Sequence, residues 1–184
     1  SSGKMGSALA RAALQLGAEV TVVSGPVRVA YPAGVQVISV RTAEEMLAAA
    51  LPFARESDCI VGAAAVADYR PADPSQGKIR RTNEPLTMTL LPNPDIIATL
   101  AKEAKSGAVV VGFAAEPSLE PQVAQEKMVR KGLAAIALNN VSEPGIGFES
   151  DDNALTLLWP DGATQSSERE SKLRCALWFF EQLS

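Results

Sequence analysis

Short apolar runs alternate with helix-length segments along this chain, and that rhythm restricts it to the α/β class. In the clearest repeat, Val109 to Gly112 has the β-branched composition of a buried parallel strand, a helix is predicted near Glu120 to Lys131, and Ala134 to Leu138 predicts the next strand. Parallel strands joined by helices have helices on both faces of their sheet. We therefore expect a Rossmann-like, three-layer α/β fold with a mostly parallel sheet.

The same rhythm runs through the first third of the chain. Its predicted elements are a helix from Ala8 to Leu16 closed by Gly17, strands from Glu19 to Val23 and Val35 to Val40, a helix from Thr42 to about Arg55, and an apolar strand from Cys59 to Val66. Thr42 and Glu45 have the spacing of a capping box. Because the sequence opens directly on the first helix, we expect that an N-terminal strand precedes it and is not in this chain.

The remaining regular elements are predicted from their end signals. Asn93 is expected to cap a helix that runs to about Lys105, with Pro94 at its first position. A hairpin and a helix are expected to close the chain. Their predicted parts are the strand Asn153 to Trp159, the turn Asp161-Gly162, a short return strand, and an amphipathic helix from Glu168 to Leu183 whose Trp178, Phe179 and Phe180 belong to the core.

A stretch from Arg70 to Pro92 breaks the α/β rhythm. It contains several turn residues, the basic cluster Lys78-Ile79-Arg80-Arg81, and an alternating segment from Leu86 to Leu90. Compact domains rarely use that many residues for a plain connection, so we predict an arm that leaves the sheet. Its cations either belong to a solvated loop or reach a phosphate, possibly in a partner subunit's site.

Composition excludes several classes of protein. The chain has 184 residues and 47% hydrophobic content, which suit one domain over residues 1–184. It has no run of about 18 apolar residues and no signal-peptide core, so we expect a cytoplasmic protein without a membrane segment. Cys59 and Cys175 lie in apolar segments and are each expected to be buried thiols, with neither a disulfide nor a metal pattern.

Charge and the absence of histidine narrow the chemistry. A net charge of −4 argues against a general nucleic-acid binder. With no histidine, the chain has no Ser-His-Asp triad, no Cys-His pair and no histidine-ligated zinc. Catalysis would depend on Lys, Arg, Asn, acidic groups, backbone dipoles or a metal that arrives with the ligand.

Candidate ligand-binding residues lie at predicted strand ends, where open α/β sheets bind their ligands. On a helical wheel, Val123, Ala124 and Met128 define an apolar arc that also contains Lys127 and Lys131. These lysines either extend buried stems to solvent at a helix border or point inward to meet a bound polyanion.

Two further features carry open alternatives. The turn from Ser1 to Gly6 either caps the first helix or holds an anion through backbone N–H groups, with Lys4 nearby. Asp68 follows the strand that ends in small residues, and a turn-capping acid is favoured there over a catalytic base.

Two classes of function that are common for such a fold are opposed by the sequence. A dehydrogenase-like module is opposed by the absent three-glycine fingerprint, by Ser24 in place of an acid at the second strand end, and by Tyr31 and Tyr69, neither of which has a lysine four residues on. A binding module without catalysis is opposed mildly by the inward lysines and the polar strand ends.

Several motifs occur together and in a fixed order along the chain. They are Ser1-Ser2-Gly3-Lys4-Met5-Gly6, Ala64 to Arg70, Lys78-Ile79, Asn93-Pro94-Asp95-Ile96, Gly112-Phe113-Ala114-Ala115-Glu116, Lys127 with Lys131, Asn139 with Val141-Ser142, and Asp151 to Ala154. In this order they resemble phosphopantothenate–cysteine ligase, the phosphopantothenoylcysteine synthetase of coenzyme A biosynthesis. In bacteria that family usually forms the carboxyl-terminal half of a bifunctional protein, behind an FMN-dependent decarboxylase.

The resemblance implies a reaction and its participants. The carboxylate of 4′-phosphopantothenate attacks the α-phosphate of CTP, and the amine of L-cysteine then displaces CMP from the acyl-cytidylate. Mg²⁺ would arrive on the CTP phosphates rather than in a protein cage, FMN would belong to the N-terminal decarboxylase domain alone, and the domain would form a homodimer through its arm.

The resemblance also implies roles for individual residues. The nucleotide would be lined by Gly112, Phe113, Ala114, Ala115, Asn139, Asn140, Val141, Ser142 and Phe148. Lys127 would contact its phosphates as the catalytic cation, with Lys131 close by. Phosphopantothenate would face Ser1, Ser2, Gly3, Lys4, Ala65, Val66, Ala67 and Asp68, and Lys78 would lie on the arm.

The chain departs from the family pattern at three places. The asparagine that usually precedes the serine pair and stabilises the acyl-cytidylate is absent, Asn140 replaces an aspartate, and Pro117 replaces a threonine. By the family pattern, we expect the first change to lower the activity of this sequence. The other two are expected to alter its polar contacts to the nucleotide and its preference for CTP.

Overall fold

The computed structural model describes residues 2–81, 83–114, 121–139 and 150–183, and for Pro121 its backbone only. Its helices are α1 (Lys4–Gln15), α2 (Ala43–Ala54), α3 (Ile96–Glu103), α4 (Pro121–Lys131) and α5 (Lys172–Glu181). The strands are β1 (Thr21–Ser24), β2 (Gln36–Ser39), β3 (Cys59–Gly62), β4 (Tyr69–Pro71), β5 (Leu90–Pro92), β6 (Val109–Ala114), β7 (Ala135–Asn139), β8 (Asp152–Asn153), β9 (Leu155–Leu158), β10 (Thr164–Ser166) and β11 (Glu170–Ser171).

The largest sheet has the strand order β10-β9-β7-β6-β3. Its β3, β6 and β7 are parallel, whereas β9 and β10 form the antiparallel hairpin that the sequence predicts. Strands β1 and β2 form a separate parallel pair. The observed architecture confirms the expected α/β class and the mostly parallel pairing.

Strand alternation divides the core between two helical layers. Val111 of β6 packs in one apolar cluster with Leu9 of α1 and Phe179 of α5. Its neighbour Val110 points to the opposite face and packs with Met128 of α4. Successive residues of a strand point to opposite faces, so one buried strand supports both layers. The three-layer prediction is confirmed.

Glycines in two adjacent strands bring one helical layer close to the sheet. Gly62 and Gly112 are paired in register between β3 and β6. A Cβ atom on Gly62 would lie 2.9 Å from Cδ1 of Ile97 in α3, and one on Gly112 would lie 3.1 Å from Cδ1 of Leu133. Close packing of α3 on Gly62, and of the segment after α4 on Gly112, therefore accounts for these glycines.

The predicted arm is closed at its base by a short antiparallel ribbon. Tyr69 in β4 pairs with Pro92 in β5, and the chain between them leaves the sheet. Four apolar residues of this region, Ile79, Leu86, Met88 and Leu90, are each more than half exposed.

The five predicted helices are confirmed, with three starts corrected. Helix α5 begins at Lys172 rather than Glu168, because Ser171 is its N-cap and accepts from the Arg174 amide. The capping box of Thr42 and Glu45 is present at the start of α2. Helix α1, however, begins at Lys4 rather than Ala8, since Gly3 already takes the left-handed N-cap conformation at φ 82°. Helix α3 is capped by Asp95 instead of Asn93, because the Asp95 carboxylate accepts from the amide of Ala98.

Two strand predictions are also corrected. Strand β3 ends at Gly62 and not at Val66, and Cys59 at its start is exposed instead of buried. The reason is that β3 is the last strand of its sheet, so its first residue has a neighbouring strand on one side only. Phe113 and Ala114 continue β6 beyond the predicted break at Gly112. Cys175 is buried as predicted.

Candidate functional site at the carboxyl edge of the sheet

Predicted nucleotide-binding residues end two adjacent parallel strands. Ala114 is the last residue of β6 and Asn139 the last of β7, and Ala114 pairs with Leu138 in register. The Phe113 ring packs against Phe179, with ring centroids 5.6 Å apart. The side chains of Phe113 and Ala114 therefore belong to the core, and a ligand at this edge would meet mainly backbone groups. Ala115, Asn140, Val141, Ser142 and Phe148 lie outside the described residues.

Asn139 buries an unpaired acceptor at this edge. Its residue is 7% exposed, and within the described chain its Oδ1 has no hydrogen-bond partner. Leaving a buried polar atom unpaired costs on the order of 1–3 kcal/mol. A ligand N–H or O–H group, or a residue outside the described ranges, would remove that cost. Among the described residues predicted to bind the nucleotide, Asn139 is therefore the one with a buried side-chain acceptor left unpaired.

The first turn of α1 lies at the same edge. Asn153 Nδ2 donates to Met5 Sδ at 3.5 Å, and Asn153 lies two residues before Leu155, the partner of Asn139 in β9. Gly3, the N-cap of α1, has no side-chain cap. The N–H groups of a helix's first turn have no intrahelical acceptor and attract anions. The predicted anion-binding character of residues 2–4 is therefore compatible with their position, while Ser1 is not described.

Close packing, as well as backbone conformation, requires glycine at position 3. A Cβ atom there would lie 2.7 Å from Cβ of Val27, in the loop that follows β1. That loop closes against α1 through a second contact, since Ser7 Oγ donates to the carbonyl of Ala30 at 3.0 Å. The loop and the helix start therefore form one packed unit.

A charged cluster joins α1 to the start of α5. Lys4 Nζ forms an ion pair with Asp151 Oδ1 at 2.8 Å, and its hydrogen bond and charge lower the pKa of the Asp151 carboxyl. Lys172, at the first position of α5, donates to the backbone of the same segment. A cavity of about 380 Å³ lies beside these groups and is also lined by Arg11 and Ser7. The residues that line this cavity include three cations, Lys4, Arg11 and Lys172, and one carboxylate, Asp151.

The helix wheel of α4 is corrected by the structure. Ala124 and Met128 are buried, but Val123 is 51% exposed, so the buried stripe is narrower than the predicted arc. Lys127 and Lys131 lie at its border, and Lys127 is partly buried. Two alternatives were open for Lys131: an ammonium in solvent at the helix border, or one that points inward to a bound polyanion. Neither describes it fully, since its ammonium meets a carboxylate of the protein.

That carboxylate belongs to Asp95, the N-cap of α3. Lys131 Nζ lies 2.8 Å from Asp95 Oδ2, and the Lys131 side chain is 18% exposed. Partial burial of Asp95 opposes its ionisation, but the hydrogen bonds from Lys131 and from the Ala98 amide hold the pKa of the carboxyl below its ordinary value. The pair bridges α3 and α4, which leaves Lys131 with a structural role in this state.

The predicted substrate segment after β3 is exposed. Residues 64–69 are exposed, and the turn is tied by its backbone: Asn93 Nδ2 donates to the Ala67 carbonyl at 2.8 Å, and Asn93 N donates to the Asp68 carbonyl at 2.8 Å. Ala65 and Val66 therefore lie on an accessible turn. Asp68 contributes its carbonyl to the turn, and its exposed carboxylate faces solvent. Lys78 is exposed on the arm, away from the base of the ribbon.

Sequence reasoning gave no individual role to four polar residues near the predicted site, although three of them lie within the motifs that carry the family resemblance. They are Asp95, Asp151, Asn153 and Lys172. Lys172 had a usable signal, because a lysine directly after a serine N-cap occupies the positive end of a helix, where acids are favoured. The partnership of Asp151 with Lys4 had none, since 147 residues separate them.

Two properties of the described residues bear on the class of site. No helix there is both long enough and apolar enough to cross a bilayer. Over the same residues, no three acidic, cysteine or histidine side chains come together as metal ligands.

Comparisons with known proteins give a consistent result. The family model described as "DNA/pantothenate metabolism flavoprotein C-terminal domain" matches residues 1–184. The chain is 48% identical over 164 residues to the coenzyme A biosynthesis bifunctional protein CoaBC of Vibrio parahaemolyticus, and 46% identical over 165 residues to that of Escherichia coli K12. Each alignment covers 88% of this chain and 41% of the relative.

A solved structure agrees with these matches. The crystal structure of the C-terminal domain of the bifunctional protein CoaBC superposes with a TM-score of 0.81 at 33% identity, covering 100% of this chain and 83% of that one. The chain thus spans 41% of the length of the two curated relatives, and the aligned region corresponds in fold to a C-terminal domain.

Proposed function

The chain belongs to the family of DNA/pantothenate metabolism flavoprotein C-terminal domains, and from that membership we propose that it acts in coenzyme A biosynthesis. The proposed reaction ligates 4′-phosphopantothenate to L-cysteine with CTP, giving phosphopantothenoylcysteine, CMP and pyrophosphate. The observation that carries the proposal is the family match over residues 1–184.

The proposed chemistry has two steps. The carboxylate of 4′-phosphopantothenate attacks the α-phosphorus of CTP, and the bond to the bridging oxygen breaks to release pyrophosphate. The cysteine amine then attacks the acyl carbon, CMP leaves with the electron pair of the broken C–O bond, and the amine proton passes to solvent or a basic group. No histidine is needed for either step.

Electrostatics are the main difficulty of the first step, since a carboxylate must approach a triphosphate. Cations of this chain offset that repulsion in the proposal, where each charge-assisted hydrogen bond contributes about 1.5–3 kcal/mol. Lys4 at the start of α1 is assigned to phosphopantothenate and the partly buried Lys127 of α4 to the CTP phosphates. Mg²⁺ bound to those phosphates would supply additional charge neutralisation.

Recognition of the nucleotide is assigned to the ends of β6 and β7. The unpaired, buried Oδ1 of Asn139 supports this assignment, because it is ready to accept a hydrogen bond from the nucleotide. Gly112, Phe113 and Ala114 would contribute backbone hydrogen-bonding groups and the shape of the surface that the nucleotide contacts. Lys131 is assigned a supporting role near the phosphates, through its ion pair with Asp95.

Assembly is part of the proposal. The exposed apolar residues of the arm favour a homodimer in which the arm packs on a second copy, and Lys78 would then approach the partner's site. An FMN-dependent decarboxylase domain is proposed to precede this domain in the full-length protein, as the bifunctional relatives suggest. FMN has no proposed site in this chain.

Calorimetric titration with CTP, ATP and NADPH in the presence of Mg²⁺ tests the nucleotide assignment directly. The proposal expects selective CTP binding, followed by release of pyrophosphate only when 4′-phosphopantothenate is added. NADPH binding without CTP binding would instead support the dehydrogenase-like alternative. CTP binding without turnover in the full-length protein would support a binding module.

A further inference from the structure

Lys172 is a buried lysine that holds three consecutive backbone carbonyl groups. Its residue is 6% exposed. Its ammonium donates to the carbonyl oxygens of Ser150 and Asp152, the latter at 3.1 Å, and its own amide donates to the carbonyl of Asp151 at 2.9 Å. Lys172 thus contacts the backbone at each residue from 150 to 152, at a segment where β8 also pairs with β11.

The location of this ammonium is electrostatically unfavourable. It lies at the positive end of α5, and burial together with the charge of Lys4 lowers the pKa of Lys172, while Asp151 acts in the opposite direction. A cation here costs stability unless the carbonyl groups compensate. We therefore look for the role of Lys172 in the backbone segment that its ammonium holds.

The held segment reaches the first turn of α1 at two points. Asp151 forms the ion pair with Lys4, and the next residue but one, Asn153, donates its side-chain amide to Met5. The Asp151 side chain is 90% exposed, so its direction depends on the backbone that carries it. Fixing that backbone consequently fixes where the Lys4 ammonium is held.

We propose that Lys172 is a positioning residue for the phosphorylated substrate, which acts by holding the 150–152 backbone so that Asp151 directs Lys4 at the start of α1. The inference rests on the proposed function, because Lys4 is assigned there to 4′-phosphopantothenate. Lys172 is buried and lies outside the sequence motifs that carry the family resemblance.

Kinetics of Lys172→Met in the full-length protein test this role. We expect the KM for 4′-phosphopantothenate to rise about 5- to 20-fold, with kcat changed less than threefold and the KM for L-cysteine unchanged. Arg174→Met is the matched control, because Arg174 lies on the same helix with a side chain that is 68% exposed. In the double variant of Lys172→Met with Asp151→Asn, the KM for 4′-phosphopantothenate should exceed that of Asp151→Asn alone by no more than about twofold.

Amide hydrogen exchange gives a readout that does not require turnover. Exchange at Asp152 and Lys172 should become at least about tenfold faster in Lys172→Met and stay unchanged in Arg174→Met. If the wild-type protein shows no ligation, the proposed function fails, and the Kd for 4′-phosphopantothenate then replaces KM as the test of Lys172. A lower Tm with unchanged KM and Kd would reduce Lys172 to a structural residue and overturn the inference.

Discussion

Lys131 and Asp95 form an ion pair of 2.8 Å that joins the last turn of α4 to the N-cap of α3. Because Asp95 already caps α3 through the Ala98 amide, its second oxygen is available to the lysine. The two lysines that share one arc of the predicted helix therefore differ in position: the partly buried Lys131 ammonium bridges two helices, and Lys127 remains the residue that we propose for the CTP phosphates.

Asp95→Asn should make this pair visible as a pH-dependent change in stability. The folded-state pKa of Asp95 lies below its ordinary value of 3.8, so the stabilisation is present above that value and is lost as the pH falls through the folded-state pKa. Asparagine keeps the N-cap and removes the charge. We expect a Tm lower by about 1–3 °C at pH 7, with a difference that shrinks towards pH 3.

Thermal unfolding of both proteins between pH 3 and pH 7 measures this difference. Lys102→Gln, on the exposed face of α3, provides a control for loss of one surface charge. A Tm difference between wild type and Asp95→Asn that stays constant across the range would contradict the linkage.

Lys127→Gln should keep the fold and lower turnover by about 10²–10³-fold, on the scale of removing one electrostatic stabiliser of a transition state. Arg130→Gln serves as the control, since Arg130 is exposed on the same helix. The measurement is the rate of pyrophosphate release at saturating CTP, together with Tm. Near-wild-type turnover in Lys127→Gln at an unchanged Tm would remove Lys127 from the site.

Gly3→Ala should be markedly more destabilising than Gly17→Ala. Both glycines have φ above 80°, but a Cβ at position 17 meets nothing within 4 Å, whereas one at position 3 would overlap Val27. The conformational penalty of about 1 kcal/mol is shared, and overpacking adds about 1–3 kcal/mol at Gly3 alone. Denaturant titration gives both free energies of unfolding, and equal values would show that the Val27 loop moves away freely.

Asn139→Leu should separate stability from binding. Removing a buried unpaired amide oxygen is expected to leave the Tm within about 3 °C of wild type or to raise it. The Kd for CTP should rise about tenfold or more, since a hydrogen-bond acceptor for the nucleotide is lost. Calorimetric titration measures it. Unchanged CTP affinity would exclude Asn139 from the nucleotide site.

Charged substitutions on the arm should weaken the proposed homodimer. Leu86 and Met88 are 65% and 52% exposed, and an aspartate at either position would place a charge in an apolar interface. We expect the dimer Kd from sedimentation equilibrium to rise at least about tenfold. Val129→Asp is the control, because Val129 is 77% exposed on α4, outside the arm. A wild-type monomer, or a dimer insensitive to both arm variants, would refute the arm contact.

Local sequence patterns were sufficient for the fold class. The run from Val109 to Val111 predicts a buried strand because consecutive β-branched residues are typical of one. The Thr42–Glu45 capping box formed as predicted, since both of its hydrogen bonds lie within one helical turn. Ends were less predictable: Asn93 and Asp95 are both good N-caps, and the tie of Asn93 to Ala67 decides between them.

The sequence by itself determined the α/β rhythm, the buried strands and the motifs that identify the family, because each depends on residues close together in the chain. Tertiary structure alone decided that Lys4 meets Asp151, that Lys131 meets Asp95, and that Lys172 binds the backbone segment that carries Asp151. Charges attract any opposite charge that the fold brings near, so their partners follow from the packing of distant elements and leave no periodic trace in the sequence.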